Sequence, residues 1–344
     1  MILSCTTRAL RTRHAFRISR GARTEIRNVF IRIERDGIAG YGEASPNIYY
    51  DETWERVVEK IEAARPFVEM LDLQTVAGLE AAWGKLWEIV APSRAALCAI
   101  DVGMWDWLAR KRGVSVAELM WGAKPRPVTT FCTIGLSSNE ELAIKMEQLR
   151  CFPQIKIKSD EKVRLDVVRY VRARTAGLIA VDANCAWGKV DLREISRDLA
   201  QLRVAFIEQP RPPGHESDAD RDRSKLPVFA DESCVTEEDV PVVAAHFDGF
   251  NIKLVKCGGL TPARHMVLRA KVLKRRLMIG CMLESSALIA AGAVIAQRTE
   301  FADLDGAWLL ADDPFRGWIF DRGVLTPPSS TGLGIEPEDG FFGE

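Results

Sequence analysis

The chain has 344 residues, 47% of them hydrophobic and 28% charged, a globular balance with ample material for a core. Its net charge of −1 argues against a whole-chain nucleic-acid binder. Its longest apolar segment, 277–297, is interrupted by Glu284 and reads as a strand followed by a buried helix rather than a membrane span.

Residues 1–10 and 28–34 read as strands, and Arg35-Asp36-Gly37 as the turn of a hairpin that returns over 38–42. Helical periodicity follows over 52–70, 75–89 and 93–111; the last carries Leu97, Ile100, Met104 and Leu108, three to four apart. Strands first and helices after make residues 1–122 an α+β unit. Pro125 and Pro127 mark a break, beyond which the pattern alternates. Strands are expected at 128–135, 155–158, 178–182, 204–208, 228–231, 249–253, 277–280 and 301–303, with helices over 139–150, 160–174, 192–202 and 262–275. The fold class is therefore α/β: a (β/α)8-type (TIM-like) barrel over 123–305, capped by 1–122. Residues 306–344, rich in Gly, Pro and Asp, are expected to pack back on the cap. Eight cysteines without a C-x-x-C pair read as reduced and mostly buried. The start of the chain shows no apolar targeting stretch, so a cytoplasmic location is expected.

Charged residues end the barrel strands at nearly even spacing. Lys158, Asp182, Glu208, Asp231 and Lys253 follow one another at intervals of 24, 26, 23 and 22 residues. That is about the length of one strand, one helix and two short loops. Each residue lands at the mouth where barrel active sites are built. Asp182, Glu208 and Asp231 would repel one another there without a cation, and oxygen ligands suit a hard divalent ion, Mg²⁺ first. Helix capping explains any one of the three carboxylates, but less well three of them flanked by lysines. Lys156 and Lys158 share one face of their strand, inside a barrel normally filled by apolar side chains. Lys156 and the cation are expected to lower the basicity of Lys158, as a base near neutral pH requires. Lys253, several strands round, would face it across the metal. That is the geometry for removing a proton from one face of a carbon and returning it to the other. Lys256 reads as a loop charge.

Lys-Ile-Lys, the carboxylates in Val-Asp-Ala-Asn, Ile-Glu-Gln-Pro and Ala-Asp-Glu-Ser, and Asn-Ile-Lys together resemble the enolase superfamily over the whole chain. The lysine on the sixth strand matches its muconate-lactonizing subgroup; a mandelate-racemase-type site would want a histidine on the seventh, and none of the four histidines ends a strand. The resemblance implies one Mg²⁺ per subunit on Asp182, Glu208 and Asp231, stabilising an enediolate. It also implies Lys158 and Lys253 as bases for opposite isomers, and Lys156 as a partner of the substrate carboxylate.

Within the subgroup, the paired carboxylates Asp303 and Asp305 suit a free substrate ammonium, as in dipeptide epimerases. Two capping aspartates are the competing reading. Thr133 matches a position that contacts substrate in those enzymes. The implied reaction inverts the α-carbon of the C-terminal residue of an L-Ala-Xaa dipeptide, Ala-Glu favoured, by a two-base 1,1-proton transfer. N-acylamino acid racemisation and o-succinylbenzoate synthesis are the alternatives. Arg17, Arg20 and Arg23 lie in a glycine-containing segment read as a loop; Arg20 is taken as the contact to an acidic side chain, against the reading that all three are simply solvated. Tyr49 and Tyr50 could instead line an aromatic pocket. A small dipeptide is the expected partner, nucleic acid and membrane are not, and a homo-oligomer is left open.

Overall fold

The computed structural model describes residues 1–18, 21–215 and 223–343. Three antiparallel strands open it: β1 (Ile2–Ile18), β2 (Gly21–Arg35) and β3 (Ile38–Ala44). Asp36 and Gly37, with φ of 56° and 72°, form the two-residue turn between β2 and β3, a left-handed pair that a D-G sequence tolerates. The β1–β2 hairpin is far longer than the sequence predicts. Its ladder runs on to Ile18↔Gly21, with a register shift between Arg11 and Phe16. Residues 11–15 and 21–27 are exposed or half-buried, so no period-2 apolar pattern marks them. Arg17 and Arg23 consequently stand on strands and not in a loop, whereas Arg20 lies outside the described residues.

Helices α1 (Trp54–Met70), α2 (Val76–Val90) and α3 (Arg94–Lys111) follow, each begun by a Thr or Ser whose side chain accepts a backbone N–H of the first turn. After α4 (Val116–Trp121) the expected strand 128–135 is in fact two strands. β4 (Val128–Thr129) pairs outside the barrel, and Phe131 N donates to Ala302 O at 2.8 Å as the chain turns into β5 (Cys132–Ile134). That bond crosses the seam between the first and last barrel strands.

The barrel continues with β6 (Gln154–Lys158), β7 (Leu178–Asp182), β8 (Val204–Glu208), β9 (Val228–Ala230), β10 (Gly249–Ile252), β11 (Arg276–Gly280) and β12 (Phe301–Asp303). Each strand is parallel to its chain neighbour. Between them lie α5 (Asn139–Gln148), α6 (Leu165–Arg172), α7 (Leu192–Gln201), α8 (Val240–His246), α9 (Leu254–Cys257), α10 (Leu260–Val272) and α11 (Ser286–Ala296), and α12 (Gly306–Leu309) follows β12. α6 starts later than predicted because Val163 and Arg164 adopt positive φ, 63° and 53°. Inward side chains alternate along the strands. Phe131, Ala180, Phe206, Phe229, Met278 and Phe301 form a buried floor, with Phe206 4.7 Å from Phe229 and 4.8 Å from Phe301 between ring centroids. Two residues further along the same strands stand Thr133, Asp182, Glu208, Asp231, Gly280 and Asp303.

The tail adds β13 (Phe315–Arg316), β14 (Ile319–Asp321), β15 (Val324–Thr326) and β16 (Glu336–Pro337). β15 pairs with β4, and the rings of Phe315 and Phe341 pack on Phe30 of the cap at 5.8 and 5.1 Å. Cap and barrel also meet at buried Glu43, which accepts from Ser285 N (3.0 Å), Ser285 Oγ (2.6 Å), Leu288 N (3.2 Å) and Asn28 Nδ2 (2.7 Å). Asn28 also donates to Leu283 O at 3.0 Å. Burial pushes Glu43 up to about 7 against the pull of these bonds. All eight cysteines are free thiols; Cys98, Cys132, Cys234 and Cys257 are buried, Cys151 is exposed, and the rest are half-buried, so fewer are buried than expected. Among the described residues no helix is long and apolar enough to cross a membrane.

Candidate active site

Strand ends deliver the site. Asp182 closes β7, Glu208 closes β8, and Asp231 follows β9 directly. All three are buried, and one oxygen from each lies within 4.8 Å of the others, so the three converge on one place. The donors are hard carboxylate oxygens in a concave mouth, so the residues present fit Mg²⁺. Their electrostatics point the same way. Burial, then the charge of Asp182, push Glu208 up to about 7. Burial also opposes the charges of Asp182 and Asp231, but Lys158 and Lys156 hold the first below the ordinary carboxylate range, and Lys253 and Lys256 hold the second well below it. A cluster in which one carboxyl sits so high is short of positive charge.

The lysines approach from both ends of this triad. Lys158 Nζ lies 2.6 Å from Asp182 Oδ2, and Lys253 Nζ lies 2.7 Å from Asp231 Oδ2. Burial works against the charge of Lys253, yet Asp231 outweighs it and raises the ammonium above its ordinary value. Lys156 is fully buried beneath the cavity, 2.7 Å from Asp303 Oδ2, 2.7 Å from Glu208 Oε2 and 3.1 Å from Asp182 Oδ2. It thus joins the triad to the Asp303/Asp305 pair.

Thr133 ties that pair together. Its backbone N–H donates to Asp305 Oδ2 at 2.6 Å, and its hydroxyl lies 3.3 Å from Asp303 Oδ1. Burial, then the charge of Asp303, push Asp305 up to about 7. Both carboxylates, Thr133, Lys158 and Lys253 line one cavity of about 290 Å³. The cap supplies its outer wall, where Arg23, Ile48, Tyr49 and Tyr50 meet Met282 and Leu283 of the barrel. The rings of Tyr49 and Tyr50 meet edge to face at 4.9 Å. Arg17 turns the other way, pairing with Glu141 at 2.6 Å, and its carbonyl accepts Leu136 N at 2.9 Å. A Cβ at Gly135 would fall 2.7 Å from that carbonyl, so the hairpin seats against the first barrel loop only because residue 135 is glycine.

Two supports were not read from the sequence. Lys256 is not a loop charge: it is buried, with Nζ 2.7 Å from Asp231 Oδ1, 2.6 Å from Asp231 O, 2.9 Å from Cys234 O and 3.2 Å from Asn251 O. Its spacing of three from Lys253, across the single turn α9, was the available signal. Gln209 is the second: its Oε1 accepts Asp231 N at 2.7 Å and Ser233 N at 3.1 Å, so the residue after one triad carboxylate fixes the backbone of another.

Two family models match the chain: the mandelate racemase/muconate lactonizing enzyme N-terminal domain over residues 2–121, and the enolase C-terminal domain-like model over residues 140–340. A protein of Flavobacterium johnsoniae named L-Ala-D/L-amino acid epimerase is 36% identical over 330 residues, covering 95% of this chain and 96% of that one. A solved structure from Agrobacterium tumefaciens, an enolase family member with homology to dipeptide epimerases, holds sodium and L-Ala-L-Glu; it is 33% identical, with a TM-score of 0.85 and coverage of 95% and 97%. A dipeptide epimerase from Methylococcus capsulatus, solved with Mg and L-Arg-D-Lys, is 30% identical, with a TM-score of 0.87 and coverage of 97% and 98%.

Proposed function

This chain belongs to the mandelate racemase/muconate lactonizing enzyme family of enolase-like proteins, and from that premise we propose that it is a Mg²⁺-dependent dipeptide epimerase. It inverts the α-carbon of the C-terminal residue of an L-Ala-Xaa dipeptide, with an acidic residue favoured there. The observation that carries this reading is one cavity lined by opposed lysines at the two ends of a carboxylate triad and by a second carboxylate pair.

Asp182, Glu208 and Asp231 would hold the Mg²⁺, which when bound would supply the positive charge that offsets the substrate carboxylate and the negative charge developing there. Lys158 removes that proton from one isomer while Lys253 returns one to the opposite face; for the other isomer the roles reverse. Each base must be neutral when it acts, so Lys158 must give up its contact to Asp182, and Lys253 its contact to Asp231, before it takes a proton. Asp303 and Asp305 receive the substrate ammonium, and Thr133 keeps their spacing. Lys156, below the cavity, ties the metal ligand Glu208 to the clamp residue Asp303. Arg23 on the cavity wall supports an acidic side chain, as does the L-Ala-L-Glu held by the Agrobacterium relative.

Exchange in D₂O tests the reading. The unaltered chain with Mg²⁺ should incorporate deuterium at the α-carbon from both isomers, whereas Lys253→Ala should exchange one isomer and no longer epimerise. If neither isomer of any L-Ala-Xaa dipeptide in a library exchanges, the assignment is wrong.

A further inference from the structure

We propose that Asn251, seated in space left open by Gly280, is a positioning residue for the metal ligand Glu208. This rests on the triad being the Mg²⁺ site, and not on which dipeptide the enzyme takes. Asn251 lies on β10 two residues before Lys253, so the strand's period of two turns both toward the barrel axis. It is fully buried, and its Nδ2 donates to Glu208 Oε1 at 2.8 Å. Glu208 is on the fourth barrel strand and Asn251 on the sixth; alternate strands share the layers of a barrel interior, which is why the two meet.

Gly280 decides whether they can. A Cβ at that position would lie 2.7 Å from Nδ2, 2.7 Å from Oδ1 and 3.1 Å from Cγ of Asn251. No side chain fits there while the carboxamide holds its place. Ionised, as a metal ligand must be, Glu208 can only accept, so the NH₂ of Asn251 faces it. Its Oδ1 is then left buried without a hydrogen-bond partner. An unpaired buried acceptor is costly, and an apolar residue would avoid that cost. A carboxamide kept there is explained by what its donor does for Glu208. With Oε1 held by Asn251, Oε2 is the oxygen turned to Lys156, 2.7 Å away. Asn251 and Lys156 therefore fix the carboxylate plane from two sides before a cation arrives.

The test is calorimetric titration of Mg²⁺ into the full chain without substrate, for the unaltered protein, Asn251→Ala, Gly280→Ala and the double variant, with melting in EDTA as the check on folding. Residues that orient metal ligands typically change affinity about 10- to 100-fold when lost, and each single variant should weaken Mg²⁺ binding on that scale. The double variant should bind no more weakly than Asn251→Ala, because the methyl at 280 then has nothing to displace. Unchanged affinity in Asn251→Ala, or losses that multiply in the double variant, would overturn the proposal. Should Gly280→Ala fail to fold, the Asn251→Ala titration decides alone. No Mg²⁺ uptake by the unaltered chain would sink the metal reading, and this inference with it.

Discussion

Thr133 N donates to Asp305 Oδ2 at 2.6 Å, which fastens the first barrel strand to the residue just past the last one. The same threonine's hydroxyl reaches Asp303, so the two carboxylates stand as a preset pair. Hydrogen bonds to charged groups contribute about 1.5–3 kcal/mol. Asp303→Asn should therefore lower kcat/KM on an L-Ala-Xaa dipeptide by about 10- to 100-fold. It should spare turnover of an N-acyl amino acid, which brings no ammonium. Steady-state kinetics on both substrates check this, and equal losses would point to a structural role or to an N-acyl substrate class.

Lys256 neutralises the face of Asp231 turned away from Lys253. Removing one partner of a buried ion pair costs about 3–5 kcal/mol. Lys256→Met should accordingly melt well below the unaltered protein in EDTA. Saturating Mg²⁺ should narrow that gap, since the cation neutralises the same carboxylate. Scanning calorimetry with and without Mg²⁺ reads the difference, and a gap that the metal leaves untouched would count against the shared role.

Glu43 makes stability depend on pH. Its carboxyl lies at about 7 in the folded chain, against an ordinary 4.5. Folding therefore favours the protonated form. The stabilisation is complete below pH 4.5 and is lost as the pH rises through about 7. A tenfold change in proton affinity is worth about 1.4 kcal/mol. The rise from 4.5 to about 7 therefore bounds the loss at about 3 kcal/mol. Asp101 and Glu284, raised by burial to about 7 and about 8, act with the same sign. In urea, Glu43→Gln should show a flatter dependence of the unfolding midpoint across that window, even though the amide satisfies fewer of the donors around Ser285. Identical slopes for the two proteins would refute it.

The barrel was legible because its strands are short apolar runs closed by a charge, and both signals survive in a single sequence. The carboxylate triad and the lysines at its two ends were placed at the barrel mouth that way. Asn251 and Lys256 were missed although each stands at a regular offset from Lys253, two on the strand and three on the following turn. Neither Asn in a strand nor Lys after one announces burial; only the closed barrel, which leaves no solvent to take them, shows where they go. The outer half of the β1–β2 hairpin was invisible for the opposite reason. Residues 11–15 and 21–27 extend beyond the stretch of β2 that pairs with β3 and are exposed or half-buried, so they carry no alternation to read. The strand predicted at 128–135 failed at Thr130 and Phe131, where the chain leaves the tail's hairpin for the barrel, a change of partner that no local pattern encodes.

The aromatic floor under the charge cluster has an isotopic consequence. Phe131, Phe206, Phe229 and Phe301 seal the barrel below the lysines, so a hydrogen lifted from substrate can trade places with bulk water only by way of the capped mouth. An ammonium shuffles three hydrogens by rotation, and the one returned is drawn from that small private pool. How often recovered substrate carries its original isotope, handed back by the lysine that took it, then measures how well the cap keeps water from that lysine relative to the chemical step, whereas product takes its hydrogen from the opposite lysine.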